Sequence, residues 1–195
     1  MNPSGNYAVE IPEPRISKFL FADSRLGWLW FVARVYVGYE WLSAGWEKVT
    51  GGGWIGAQAG APLKGFLAGS LAKVSGAHPD VSAWYGWFLA HVVVPHAVIF
   101  ANMVAIGECA VGIALILGAF TGIAAFAGAF MNLNYLFAGT VSTNPLLFTI
   151  ELFLILAWRS AGWLGLDRWL LPWLGVPWKP GHAFGSDRTH AQHNT

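Results

Sequence analysis

The sequence predicts an all-α polytopic membrane protein: a four-transmembrane-helix bundle with interfacial helices in the long loop between spans one and two. Three observations carry that prediction. Hydrophobic residues make up 55% of the chain and charged residues only 11%, against roughly 25% charged in soluble domains. Apolar stretches recur at lengths near the roughly 20 residues that a bilayer core about 30 Å thick demands of a helix. The 12 tryptophans exceed what an ordinary core takes, and Trp and Tyr favour the two membrane–water interfaces. The length of 195 residues fits one domain. A net charge of +1 gives no basis for a nucleic-acid partner.

Residues 1–25 are polar, proline-bearing and charged at both signs. They do not resemble a cleavable signal peptide and read as a cytoplasmic N-terminal segment. A membrane domain is expected over 26–172. Span one is predicted over 26–46. A long connection follows over 49–95, opening with Gly51, Gly52, Gly53 and Trp54. Its two candidate helices, 62–75 and 79–94, mix Lys or Asp with aromatic residues, as segments lying in the interface do. From His96 to Gly139 the chain is almost uninterrupted apolar sequence, about twice one span. The Gly-Ala-Phe-Thr-Gly run at 118–122 is the natural hairpin, giving span two over 98–117 and span three over 120–138. Pro145 opens span four, where its missing donor costs nothing, and that span is predicted to end near Trp163. Residues 173–195 read as a flexible tail, with His182, His190 and His193 as solvated residues.

Lys and Arg set the orientation. Arg15, Lys18 and Arg25 precede span one, and Arg159, Arg168, Lys179 and Arg188 flank or follow span four. The positive-inside rule therefore puts both termini in the cytoplasm and the long Trp-rich loop outside.

Inside the predicted spans lie Arg34, Glu40, Glu108 and Glu151. Each ionisable group near a helix centre costs roughly 2.5–3.5 kcal/mol on insertion scales. Such residues are paired inside the bundle, protonated, or used. At 1.5 Å per residue, Arg34 lies roughly 18 Å below the outer surface and Glu108 roughly 15 Å, so an Arg34–Glu108 ion pair is expected. Glu40, Glu151, Asn132 and Asn134 fall roughly 8–11 Å deep on the same arithmetic. Asn132 and Asn134 point to opposite faces, so at most one serves a given pocket. A purely structural reading, in which these groups only bond helix to helix, stands beside the functional one.

Small residues mark packing: Gly38 and Gly45 share a stripe with Arg34 and Lys48, and Ala124, Gly128 and Asn132 form a small-xxx-small run. Trp41, Trp46, Trp54, Trp84, Tyr85 and Trp87 crowd the outer end, as an aromatic belt or as walls of a flat apolar site. Cys109, the single cysteine, can form neither an internal disulfide nor a CxxC pair and reads as a small apolar packing residue. No GxGxxG, P-loop or HExxH occurs. Neither flavin nor metal is indicated, and the spans hold no histidine for a haem; a ligand role for His91 and His96 is weak.

Three stretches carry a family resemblance: RVYVGYEWLSAGWEK at 34–48, GECAVGIALILGAFTGIAAFAGAFMNLNYLFAG at 107–139 and AGWLGLDRWLLP at 161–172. Together they resemble the DoxX/DoxD family. The resemblance implies a four-helix membrane fold and, in its DoxD branch, similarity to the membrane subunit of thiosulfate:quinone oxidoreductase, which passes electrons from thiosulfate to quinone. It implies quinone as co-substrate, a second redox subunit as partner beside the lipid bilayer, and leaves room for a homo-oligomer. On this expectation Glu40, Glu108 or Glu151 relays protons. Arg34 polarises a quinone carbonyl or balances Glu108, Trp41 and Trp46 flank the ring, and Asn132 or Asn134 bonds the ligand. The rivals are a non-catalytic anchor or assembly scaffold and, third, a small-solute transporter, for which four spans lack paired inverted halves.

Overall fold

The structure, a computed structural model, describes residues 13–56 and 59–176. Residues 1–12 of the N-terminal segment and 177–195 of the tail, with its three histidines, lie outside the described residues.

Among the described residues the regular elements are all helical, as the apolar periodicity predicts. Helix α1 covers Arg15–Ala22, α2 Gly27–Thr50, α3 Ala61–Leu71 and α4 Ala83–Phe88, the last running on through a π-helical turn at Leu89–Val93. Helix α5 covers Ala97–Leu117, α6 Thr121–Phe137, α7 Asn144–Leu156, α8 Trp158–Gly162 and α9 Asp167–Trp173. The two loop helices fall where the sequence places them. The fourth predicted span is interrupted: α7 ends at Leu156, Ala157 leaves helical geometry (φ −92°, ψ 17°), and α8 resumes the chain.

Only α5, with a mean hydropathy of 2.0, is by itself long and apolar enough to cross a membrane among the described residues. Helix α2 has 24 residues but carries Arg34, Glu40, Glu47 and Lys48. Helices α6 and α7 have 17 and 13 residues, short of the roughly 20 needed. Even so, their outward faces are apolar. Met103, Ile106, Ile123, Phe126 and Phe130 are 58–69% exposed, and the spacing 123, 126, 130 keeps one helix face.

Helices α2 and α5 pack antiparallel through glycines that admit no side chain. A Cβ on Gly45 would strike the backbone of Cys109, one on Gly38 the backbone of Ile116, and one on Gly112 the backbone of Leu42. That contact fixes the register, with residue 45 level with 109 and residue 38 level with 116. The α5–α6 hairpin turns at Gly118, whose φ of +67° suits glycine. The segment after α8 locks this turn: Leu166 and Asp167 donate their N–H groups to the carbonyls of Leu117 and Gly118 at 3.1 and 2.8 Å.

Two apolar clusters form the interior. One lies along α2, α5, α6 and α7 and includes Trp30, Val37, Trp41, Leu115 and Leu154. The other seats α3, α4 and the π turn on the N-terminal half of α5 through Leu67, Val81, Tyr85 and Leu89. The loop helices thereby roof one end of the α2–α5–α6–α7 assembly.

Candidate functional site: a roofed chamber beside Lys48 and Glu108

Under that roof lies a cavity of about 330 Å³ bounded by α2, α3, α5, α6 and the start of α7. Its apolar wall includes Trp41, Trp54, Leu63, Phe66, Val104 and Leu147, and its polar groups include Glu40, Lys48, Glu108, Asn132 and Tyr135.

Glu108 is buried at one side, and both its oxygens are engaged. Lys48 Nζ donates to Oε2 at 2.6 Å, and the Tyr135 hydroxyl donates to Oε1 at 2.6 Å. Lys48 also reaches the Ala44 carbonyl at 3.4 Å, and its ammonium lies 5.3 Å from the centre of the Trp54 ring. Three helices and the long loop thus meet at one ion pair. Tyr135 is fixed further by Trp41, stacked at 6.5 Å, and Phe66, edge-on at 6.1 Å.

A second carboxyl lies behind the first. Glu151 on α7 is fully buried, accepting the Trp41 indole N–H at 2.5 Å and the Asn132 amide N–H at 2.7 Å. Gly128 leaves the space: a Cβ there would collide with the Glu151 carboxylate and the Trp41 indole nitrogen. No ion pair to Glu151 occurs among the described residues. Asn132 and Trp41 touch Glu151 on one side and line the cavity on the other.

The expected Arg34–Glu108 ion pair does not form. Span one runs to Thr50, not Trp46, which sets Arg34 about 6 Å deeper than its predicted level. The α2–α5 register then carries it past Glu108 to the far end of α5. There its guanidinium, itself buried, donates to the carbonyls of Leu115, Ile116 (3.1 Å) and Leu164 (3.2 Å). A cation at a helix C-terminus meets unpaired carbonyls and the negative end of the helix dipole. Asp167 supplies an opposing charge while accepting the N–H groups of Phe120 and Thr121 at 2.5 and 2.8 Å. It caps α6 from another element and holds Phe120 at a φ of 52°.

Of the residues singled out from sequence, the fold brings Glu40, Trp41, Glu108 and Asn132 to the cavity, with Glu151 one bond behind. Trp46 is 63% exposed and Arg34 is at the opposite end. Asn134 points away, as its opposite-face position predicts: its Oδ1 and backbone carbonyl accept the Tyr85 hydroxyl at 3.0 and 3.1 Å. Burial pushes the Tyr85 phenol up to about 12, so it serves as a neutral donor in the roof. His91 and His96 each bond the carbonyl four residues earlier at 2.9 Å. Sequence reading missed Lys48 and Tyr135 as partners of Glu108, and Asp167 as a cap. Signals existed: Lys48 shares a stripe with Gly45, and Tyr135, three residues after Asn132, shares its face.

Neither curated proteins nor solved structures yield a match to the chain. The family model of DoxX matches residues 29–140, a stretch that holds nearly all of α2, then α3 through α6, and with them Glu40, Lys48, Glu108, Asn132 and Tyr135 of the chamber. By the match over more than half its length, with the glycine-packed α2–α5 pair and the Lys48–Glu108 chamber inside it, the chain belongs to the DoxX family.

Proposed function

We propose that this chain is a four-span protein of the cytoplasmic membrane, and the membrane subunit of a quinone-linked oxidoreductase of the thiosulfate:quinone type. The lipid-facing reading rests on the exposed aliphatic and aromatic faces of α5 and α6, which exceed what water tolerates on a monomer. Helices α2, α6 and α7 would span with Arg34 and Glu151 turned inward and their short ends completed by α8 and the loops. Both termini would be cytoplasmic, since Arg15, Lys18, Arg159 and Arg168 gather at that end.

The observation that carries the redox reading is the chamber itself. Its volume of about 330 Å³ falls within the roughly 300–1,000 Å³ typical of small-ligand sites. It combines flat aromatic walls with a buried carboxylate held by a lysine and a phenol. In that reading Trp41, Trp54 and Phe66 enclose a quinone ring, Lys48 donates to one of its oxygens, Tyr135 holds Glu108 in place, and Glu108 with Glu40 and Glu151 conducts protons. A partner subunit would supply the electrons. The test is purification from membranes, extraction and identification of any quinone, and thiosulfate-dependent quinone reduction by the chain with its partner. A quinone-free protein without quinone-reductase activity in either form would refute the proposal.

A scaffold reading has one observation in its favour. Arg34, Glu108 and Glu151 each bond groups on other helices, which suffices to hold a bundle together. Loss of partner binding with unchanged turnover in chamber variants would favour it.

A further inference from the structure

Two obligate acceptors in the chamber lack a donor, and they select a redox form of the ligand. Asn132 is fully buried, and its Nδ2 is committed to Glu151. Its Oδ1 is shielded from solvent and has no hydrogen-bond partner, although the residue lines the cavity. A buried amide oxygen left unpaired costs about 1–3 kcal/mol, so an occupant that donates to it is favoured. Glu40 lines the same cavity, half-buried, and has no ion-pair partner among the described residues. As a carboxylate it too is an acceptor. The Tyr135 hydroxyl spends its proton on Glu108, which leaves only oxygen lone pairs toward the cavity. Donors also line the cavity: the third N–H of Lys48, whose other two are directed at Glu108 and Ala44, the second amide N–H of Asn132, and the hydroxyls of Thr140, Ser142 and Thr143. Hydroxyls can turn to accept, whereas Asn132 Oδ1 and a Glu40 carboxylate can only accept.

We infer that the chamber is built for a dihydroxy-aromatic ligand, binding a quinol more tightly than the corresponding quinone, with Asn132 Oδ1 and Glu40 accepting its hydroxyl protons. This rests on the proposed quinone-linked function and adds to it the favoured redox form and the groups that select it. A quinone has only acceptor oxygens and can satisfy neither Asn132 Oδ1 nor Glu40. Its quinol carries two O–H donors. Tighter binding of the reduced form makes reduction of bound quinone more favourable than reduction in the free lipid phase.

The experiment is an anaerobic titration of the full chain, in nanodiscs, with a decyl-substituted benzoquinone and with its quinol. Quenching of tryptophan fluorescence reports binding at Trp41 and Trp54, and mutual competition establishes a common site. The expected result is quinol binding about tenfold tighter, one charge-assisted hydrogen bond's worth of discrimination. Glu40→Gln, at a half-buried residue outside the Lys48–Glu108–Tyr135 and Glu151–Asn132–Trp41 bonds, should cut that ratio to about threefold or less, since an amide donates as well as accepts. Binding of neither form would overturn the quinone-linked function and this inference together. Competitive binding with equal or reversed preference would overturn this inference alone, as would a preference that Glu40→Gln leaves unchanged.

Discussion

The two ends of the helix assembly handle buried charge in different ways. At one end Arg34 and Asp167 spend their hydrogen bonds on backbone: carbonyls closing α5 for the first, N–H groups opening α6 for the second. At the other end Lys48, Glu108, Tyr135, Glu151, Asn132 and Trp41 bond one another's side chains beside a cavity. Backbone groups at helix ends are fixed in place and demand a partner wherever the fold forms. Side-chain pairs can exchange partners with a ligand. The first end is therefore a clasp and the second the proposed site, although both are made from ionisable residues in an apolar bundle.

Substitutions at the two ends should separate these roles. The largest effect is expected at the clasp. Asp167→Ala leaves the N–H groups of Phe120 and Thr121 unpaired and removes the charge opposing Arg34, and should cost about 3–5 kcal/mol, read as a lowered unfolding midpoint in detergent. A loss under about 1 kcal/mol would break the distinction from the clasp side. Next, Glu108→Gln should lower quinol formation about 100-fold, the lower range for a positioned proton-transfer group, while the protein remains folded in membranes. Wild-type turnover would reduce Glu108 to a helix-joining residue. Tyr135→Phe removes one bond to that carboxylate and should slow turnover by about tenfold, equivalent to about 1.4 kcal/mol. The smallest effect is expected at Trp46, exposed on the outside of α2. Trp46→Leu should change quinone reduction by less than about twofold, the range of an ordinary surface substitution. A large loss there would move the ring site out of the chamber.

What the sequence made legible follows from how far each signal reaches. Apolar run length and the Gly118 break locate α5 and α6 to within a residue or two, because both are local. Asn132 and Glu151 fall at one depth by counting from their shared loop, and their side chains do meet. The predicted end of span one at Trp46 falls four residues short of the observed end of α2. The helix instead continues to Thr50, with the Gly51 N–H bonded to the Glu47 carbonyl at 2.8 Å. Four residues of helix are about 6 Å; the rest of the difference comes from α5, whose N-terminal half rises past the end of α2 so that Glu108 stands level with residue 46, beside Lys48 and about 18 Å from Arg34. Asp167 was opaque for another reason. Its role depends on a segment 46 residues away in sequence from Thr121, and no local pattern encodes which helix end a distant carboxylate will cap.

The claim on which the functional account turns is that the ligand sits in the roofed chamber between Lys48, Tyr135 and Trp41. Photolabelling of the protein in nanodiscs with an azidoquinone, followed by mapping of the modified peptides, tests it directly. The account predicts adducts on Trp41, Trp54, Phe66 or Tyr135, suppressed by excess quinol. Adducts confined to the lipid-facing residues of α5 and α6, insensitive to competitor, would contradict it.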